Sequence, residues 1–391
     1  MAATTAAVAP TGETAGVSPE ANIKSEEIPD AAASAEDNIM SEKDQEAESR
    51  GREILRTLVL PQIAMPPPAE YEPIEKFVSK AMQDQHECGK ETPTQAYAAV
   101  LDCLSKKRDL QMLRNILLAL RTSGRGNTIH YLIMPQFRRL VHLLLKMDPF
   151  KLPGASGAIT TRADYDVADA LFHLHTAIVS ANSAYVKQTL ECLWRMMVYD
   201  PSPIEKTSRI HAAIATVLRL CPSGKDEMID IIESKWPHRT ADKQRLITNA
   251  KQVLLVTGYI PDIQNQLVEM LIDRCLELDV EIKISDNGEV SVDKEVDDND
   301  EDDEGETPKE GKVPVRQKKK KVQHGMTVDE MATKLDSLMY IFFEFIESRK
   351  DTRSNLFHGL MYGFCRSILY THKSKFVQFV MLHICGLDFR E

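Results

Sequence analysis

Histidine, cysteine and one glycine-lysine turn come nearest, in residue type and spacing, to a chemical site in this sequence. His173 and His175 form a His-x-His pair, and His86 and Cys88 have the same spacing. Residues two positions apart do not share a helix face, so neither pair can chelate one metal ion within an unbroken helix. Residues 223–226 read Ser-Gly-Lys-Asp at a predicted helix start, without the earlier glycines of a phosphate-binding loop. We therefore expect structural roles for these residues.

Enzymatic motifs are missing from the sequence. It contains no GxxxxGK[ST], no GxGxxG after a strand, no HExxH, no GxSxG and no kinase motif set. Acidic pairs are plentiful, but nothing places two carboxylates in a defined pocket. We predict no catalytic residues, no metal site and no cofactor, and hence a protein that is not an enzyme.

Serines beside acidic residues or prolines are candidate phosphorylation sites. Ser25, Ser34 and Ser41 are each followed by acidic residues within three positions, and Ser18 and Ser202 precede proline. A phosphate adds about −1.5 to −2 charge at neutral pH. At Ser202 this charge would lie in a turn between two helices and could change a docking face. The predicted phosphosites are Ser18, Ser25, Ser41 and Ser202.

The net charge of −11 over 391 residues is concentrated in polar segments. Residues 1–50 hold 11 acidic and 3 basic side chains, and residues 286–312 hold 13 acidic and 3 basic ones. Residues 313–322 hold 5 basic side chains and no acidic one. The rest of the chain is close to neutral, which disfavours a basic nucleic-acid-binding body. We expect contact with nucleic acid to be at most indirect.

Cysteine usage and hydropathy indicate an intracellular protein. The 7 cysteines form no CxxC pair, which suits a reducing compartment. The N-terminus lacks a basic segment followed by an apolar core, so no secretory signal is predicted. No uncharged run is apolar enough for a membrane-spanning helix, and no membrane partner is expected.

Apolar residues recur with a helical period from about residue 74 to 280. Val186, Leu190, Leu193, Trp194 and Met197, for example, form one stripe. Prolines and glycines fall between such stripes, where helices must end, and no stretch alternates long enough to predict a strand. The predicted fold class is therefore all-α. Helices are predicted at 50–60, 74–86, 93–106, 108–121, 129–147, 164–180, 184–199, 204–220, 224–235, 240–256, 261–280, 352–370 and 373–386, with another between the capping box at Thr327 and Ile346.

Four segments follow from these patterns. We expect a disordered acidic tail over 1–49, a helical-repeat array over 50–284, a disordered acidic and then basic loop over 285–325, and a continuation of the array over 326–391. Antiparallel helix pairs cannot bury both faces alone, so they stack into a solenoid. A compact all-α domain is the alternative. The apolar last helix, without a capping helix, suggests that the chain is part of something longer.

The loop over 285–325 carries two charged runs. Its acidic tract, 297–304, is a solvated linker or a segment that binds divalent cations or mimics phosphates. The basic run that follows fits a nuclear-import patch, for which an import receptor is the partner, or a counter-charge to the acidic tract. Direct binding of nucleic acid by 313–322 is a third hypothesis. The import candidates are Arg316, Lys318, Lys319, Lys320 and Lys321.

Several segments, taken in order, resemble the RNA polymerase I-specific transcription initiation factor family, called TIF-IA in animals. They surround an acidic insertion as they do in that family. The segments are Ile-Val-Ser-Ala at 178–181, Tyr-Ile-Pro at 259–261 through 267–272, Leu-Glu-Leu-Asp-Val at 276–280, Leu-Asp-Ser-Leu-Met at 335–339, and 377–385.

The resemblance implies a HEAT-repeat solenoid without catalytic activity. Family members bind RNA polymerase I and bridge it to the promoter-bound selectivity (core) factor at ribosomal RNA genes. A nuclear and nucleolar location and regulation by phosphorylation are implied as well. Ser180 and Ser183 are the polymerase-docking candidates that the family's serine-rich patch implies, and we add the neighbouring Lys187. A helix cap is the other role for these serines, since Ser183 stands where a cap for 184–199 belongs.

Two features separate the chain from this family. Family chains continue past the equivalent of Glu391, so the array is expected to be truncated relative to them, and the serine patch is sparser here. The alternative function is a generic HEAT-type scaffold or transport adaptor, for which the lysine run would be related to cargo.

Overall fold

The computed structural model describes residues 42–90, 92–106, 109–121, 128–151, 162–197, 202–284, 290–292, 328–349 and 353–368. Within these ranges the chain is helical except for short connections and one small hairpin. The all-α helical-repeat fold predicted from the sequence is confirmed.

The helices follow the predicted apolar stripes closely. In α8, for example, the stripe of Val186, Leu190, Leu193 and Trp194 is buried. The α-helices are α1 (Glu42–Thr57), α2 (Pro68–Cys88), α3 (Gln95–Lys106), α4 (Leu110–Arg121), α5 (Thr128–Leu132), α6 (Arg138–Lys146), α7 (Arg162–Ala181), α8 (Val186–Arg195), α9 (Ile204–Leu220), α10 (Gly224–Ser234), α11 (Lys243–Thr257), α12 (Gln264–Glu281), α13 (Val328–Ser348) and α14 (Arg353–Gly363).

Most helices lie in two layers. The first layer contains α2, α4, α7, α9, α11 and α13, and the second contains α3, α6, α8, α10, α12 and α14. Helix α1 packs against α9, although more than a hundred residues separate them in the chain. Residues 58–67 then run back from α1 to α2 without regular secondary structure.

The apolar core of the described residues forms two clusters that meet at α7. One cluster joins α2 to α6 with part of α7, including Leu171 and Leu174. The other joins the rest of α7, including Phe172, to the later helices up to α14. Each cluster contains residues from a different side of α7, so this helix lies between the two clusters and packs against both.

Four boundaries differ most from those predicted. The segment predicted as one helix over 129–147 is divided into α5 and α6 by a 3₁₀ turn at Pro135–Phe137, because Pro135 lacks a backbone N–H and fits only a first turn. Helix α1 begins at Glu42, within the segment expected to be disordered, and α2 begins at Pro68. The chain leaves α14 through a π-helical turn at Phe364–Ile368.

One β-hairpin was not predicted. β1 (Ile282–Ile284) pairs antiparallel with β2 (Val290–Val292), and Ile282 lies opposite Val292. β2 falls inside the loop expected over 285–325. Each strand has only three residues, too few for alternation to show in the sequence.

Candidate protein interface

The turn between α7 and α8 carries the serines that the family resemblance singled out. Ser180 and Ser183 are both exposed, the first in the last turn of α7 and the second in the 3₁₀ turn Ser183–Tyr185. The cap of this turn is Asn182, whose side-chain oxygen accepts the backbone N–H of Ala184 at 3.0 Å. Capping therefore belongs to Asn182, and no described residue hydrogen-bonds either serine hydroxyl.

Lys187 lies in the first turn of α8 and pairs with a neighbouring helix. Its Nζ is 2.5 Å from the Glu227 carboxylate of α10, and this hydrogen bond raises the pKa of Lys187. A second pair, Lys235 to Glu191 at 2.8 Å, links the same two helices and lowers the pKa of Glu191. Both pairs are largely exposed, so they shape the charge of this surface more than they stabilise it.

A basic row on α6 was missed by the sequence reasoning. Arg138, Arg139, His142 and Lys146 are exposed on one face of this helix, and the residues that the structure describes supply no ion-pair partner for them. Helix α6 lies beside α8 in the second layer. The spacing i, i+4, i+8 at 138, 142 and 146 could have revealed the row, had Pro135 been recognised as a helix start.

Ser202 lies two residues before α9 and is half-buried. Just inside α9, Glu205 and Arg209 belong to a buried ion cluster. The Arg209 guanidinium lies 3.0 Å from Asp169 of α7 and 2.8 Å from Glu205. Burial raises the pKa of Asp169 to about 7, although Arg209 favours the charged form. This predicted phosphosite therefore adjoins a charge cluster that joins α7 to α9.

The histidines that could have bound metal are tied to the protein instead. His173 Nε2 lies 2.9 Å from the Pro61 carbonyl oxygen, and His175 Nε2 lies 3.3 Å from that of Leu144. His86 Nδ1 is 3.0 Å from the Gln136 amide nitrogen. No group of three or more His, Cys, Asp or Glu side chains suited to a metal ion occurs within the described ranges.

Other candidates lie outside the described residues. These are the phosphosites Ser18, Ser25 and Ser41 and the import residues Arg316, Lys318, Lys319, Lys320 and Lys321. Of the predicted sites, the structure therefore places Ser180, Ser183 and Lys187 along one turn, and Ser202 apart from them, before α9. No helix of the described part is long and apolar enough to cross a membrane.

Comparison with known families shows what this array is. The model of the family described as RNA polymerase I specific transcription initiation factor RRN3 matches residues 69–391. The chain belongs to the RRN3 family. The RRN3 match takes in α2, from its second residue, to α14 and leaves out α1 and the connection to α2.

Two curated RRN3 relatives align with parts of the chain. The Schizosaccharomyces pombe protein named RNA polymerase I-specific transcription initiation factor rrn3 is 22% identical over 242 residues, which are 54% of this chain and 38% of that protein. The Mus musculus protein RRN3, of the same description, is 23% identical over 187 residues, which are 45% of this chain and 28% of that protein. The matches thus span well under half the length of these relatives.

A solved structure agrees on the fold. The crystal structure of RNA polymerase I transcription initiation factor Rrn3 superposes with a TM-score of 0.59 and 15% sequence identity. The superposition covers 81% of this chain and 56% of the other. At this identity it supports the helical-repeat fold.

Proposed function

We propose that this chain binds RNA polymerase I and bridges it to the promoter-bound selectivity (core) factor at ribosomal RNA genes, in the nucleus and nucleolus. Membership in the RRN3 family over residues 69–391 carries the proposal. Bridging requires only that two partners bind at the same time, for which a helical array offers a long surface. No catalytic step is needed.

The docking surface that we propose is the turn between α7 and α8. Ser180 and Ser183 are exposed there without hydrogen bonds to described residues, and Lys187 is exposed beside them. Phosphate on either serine would add negative charge to a surface that loses water on docking, which weakens a complex. Regulation of polymerase binding by phosphorylation is part of the proposal, and the basic run 316–321 stays a predicted import signal.

Charge substitution at the turn tests this role. We expect Ser180→Asp with Ser183→Asp to lower co-purification of RNA polymerase I subunits from nuclear extract at least tenfold, with the circular dichroism spectrum unchanged. The matched control is Ser234→Asp with Ser337→Asp, which adds the same charge on α10 and α13. Equal recovery of polymerase with both variants removes the turn from the docking surface.

The bridge itself needs a second purification step. Polymerase is captured through one of its own subunits, and the selectivity factor is then measured with and without this chain. Retention that depends on the chain supports bridging. If the wild-type chain recovers transport cargo and no polymerase, the scaffold or adaptor function replaces the proposal.

A further inference from the structure

The connection between α1 and α2, residues 58–67, is attached to three successive helices of the first layer. Arg219 of α9 donates to the Leu58 carbonyl oxygen at 3.0 Å. His173 Nε2 of α7 lies 2.9 Å from the Pro61 carbonyl oxygen. Arg114 of α4 donates to the carbonyl oxygen of Ala64. Every third carbonyl of the connection is thus bonded to the next helix along the array.

The buried side chains of the connection have the same period. Leu60 and Pro66 are buried and Ile63 is half-buried, whereas Val59, Gln62 and Met65 are exposed. Leu60 belongs to the core cluster of the later helices, and Ile63 packs against the cluster of the earlier ones. The connection therefore crosses the junction of the two clusters at α7.

A period of three is that of a polyproline II helix. Such a chain has three residues per turn and rises about 3.1 Å per residue, hence ~9 Å per turn. Neighbouring packed helices lie about 8–10 Å apart. One turn of the connection therefore spans the distance from one helix to the next, so the same side of the chain meets each helix. Pro67, at its end, has φ −54° and ψ 138°, close to this conformation, whereas Leu58, at its start, has φ 50° and lies outside it.

Helix α1 attaches the other part of this segment. A Cβ atom on Gly51 would lie 2.8 Å from the Glu205 backbone nitrogen and 2.9 Å from the Ile204 carbonyl carbon of α9, so only glycine allows this approach. Arg50 lies 3.4 Å from the buried Glu205 carboxylate. Thus α1 is fitted to α9 by both shape and charge.

We propose that α4, α7 and α9 form a binding groove whose ligand is an amphipathic helix followed by a polyproline II segment, and that residues 42–67 occupy it as an intramolecular ligand. Each of the three helices contributes one polar side chain that contacts a carbonyl oxygen of the ligand. On α9 the backbone comes so close that only a glycine of the ligand fits. Residues 42–67 precede the family match, which begins at residue 69. The groove lies on the first layer, whereas Lys187 and the basic row of α6 lie on the second, so this site is separate from the proposed docking surface.

Binding in trans tests the groove on the full chain. Gly51→Leu adds a side chain where α9 leaves no room, and should release residues 42–67 while α1 keeps its helix propensity. We expect amide hydrogen exchange over 42–57, whose N–H groups are hydrogen-bonded within α1, to rise at least tenfold in Gly51→Leu. The matched control, Glu53→Leu, places the same side chain on the exposed face of α1 and should leave exchange unchanged.

A fluorescein-labelled synthetic peptide of residues 42–67 is then titrated by anisotropy. It should bind the Gly51→Leu chain one to one and bind the wild-type chain at least tenfold more weakly, because the wild-type groove is filled. The same peptide carrying Gly51→Leu should bind neither chain. Equal binding to both chains, or no binding to a Gly51→Leu chain whose exchange shows release, overturns the proposal.

A second variant decides the matter if Gly51→Leu does not fold. Arg114→Ala with Arg219→Ala removes two carbonyl contacts and leaves the contact between α1 and α9 intact. We expect faster proteolytic cleavage within residues 58–67 and unchanged amide exchange over 42–57. Unchanged cleavage within 58–67 shows that the connection is not held by these side chains, and the proposal fails.

Discussion

The two layers of the array place their ion pairs in opposite environments, buried in one layer and exposed in the other. In the first layer, Arg209 meets Asp169 and Glu205 where all three side chains are at most 9% exposed. In the second layer, Lys187 meets Glu227 with side chains 56% and 39% exposed. Buried pairs must be kept complete because an unpaired buried charge is costly, whereas exposed pairs are nearly neutral for stability. In the first layer these ion pairs are thus part of the buried packing, whereas in the second layer the pair stays accessible at the surface.

Removing one member of the buried cluster should have the largest effect on this contrast. We expect Arg209→Met to lower the free energy of unfolding by about 3–5 kcal/mol, because the buried Asp169 then loses its partner and Glu205 keeps only Arg50. Urea unfolding at neutral pH measures the change. The matched control, Lys187→Met, should cost less than about 1 kcal/mol.

The carboxylates themselves provide the further check. Adding Asp169→Asn and Glu205→Gln to Arg209→Met removes the buried carboxylate charges, and we expect part of the stability to return. Similar losses for Arg209→Met and Lys187→Met would contradict the contrast between the layers.

Acid should act on the first layer through its buried histidines. Burial lowers the pKa of His175 and of His211 to about 4, opposed by hydrogen bonds to the Leu144 carbonyl and the Gln252 side chain. The unfolded chain binds these protons near pH 6.5. The folded state therefore loses stability as pH falls from about 6.5 to 4, by ~2 kcal/mol per histidine at pH 5.

Urea unfolding at pH 7 and pH 5 measures this loss for each variant. His211→Gln should reduce the difference between the two pH values by ~2 kcal/mol. The comparison is His142→Gln, on the exposed face of α6. An unchanged difference in His211→Gln means that another group carries the acid sensitivity.

The side chains that hold residues 58–67 should give the smallest effect. Arg114→Ala removes one partly buried hydrogen bond, from a side chain that is itself buried, to the Ala64 carbonyl. We expect a loss of about 1 kcal/mol in the free energy of unfolding. Arg138→Ala, in the exposed row of α6, should change it by less than about 0.5 kcal/mol. A loss as small for Arg114→Ala as for Arg138→Ala would show that the bond to the Ala64 carbonyl contributes no more stability than an exposed arginine does.

The helices could be predicted because each buries a stripe against its neighbours, and a stripe is local. The division of α5 from α6 was missed because the apolar pattern continues through Pro135, and only its place at a first turn reveals the break. The hairpin was missed because a three-residue strand carries too little pattern. Asn182 rather than Ser183 caps the turn before α8, since both residue types suit a cap and backbone geometry decides.

Contacts between distant residues could not be predicted at all. Nothing in the sequence shows that Pro61 of the connection contacts His173, which is 112 residues away. The contact of Gly51 with the α9 backbone at Glu205 could not be predicted either, because in the sequence Gly51 is only a residue of low helix propensity. The basic row of α6 lies between these cases, because its spacing is local but its helix boundary was not recognised.

The three-residue period of buried side chains and bonded carbonyls in 58–67 limits how the length of this segment can change. One added or deleted residue between Leu60 and Ile63 would rotate every later residue by a third of a turn and leave Pro66 and the Ala64 carbonyl facing water. Three added residues would restore the rotation but overshoot by the width of one helix. Relatives that keep this segment should therefore conserve its length more strictly than its side chains.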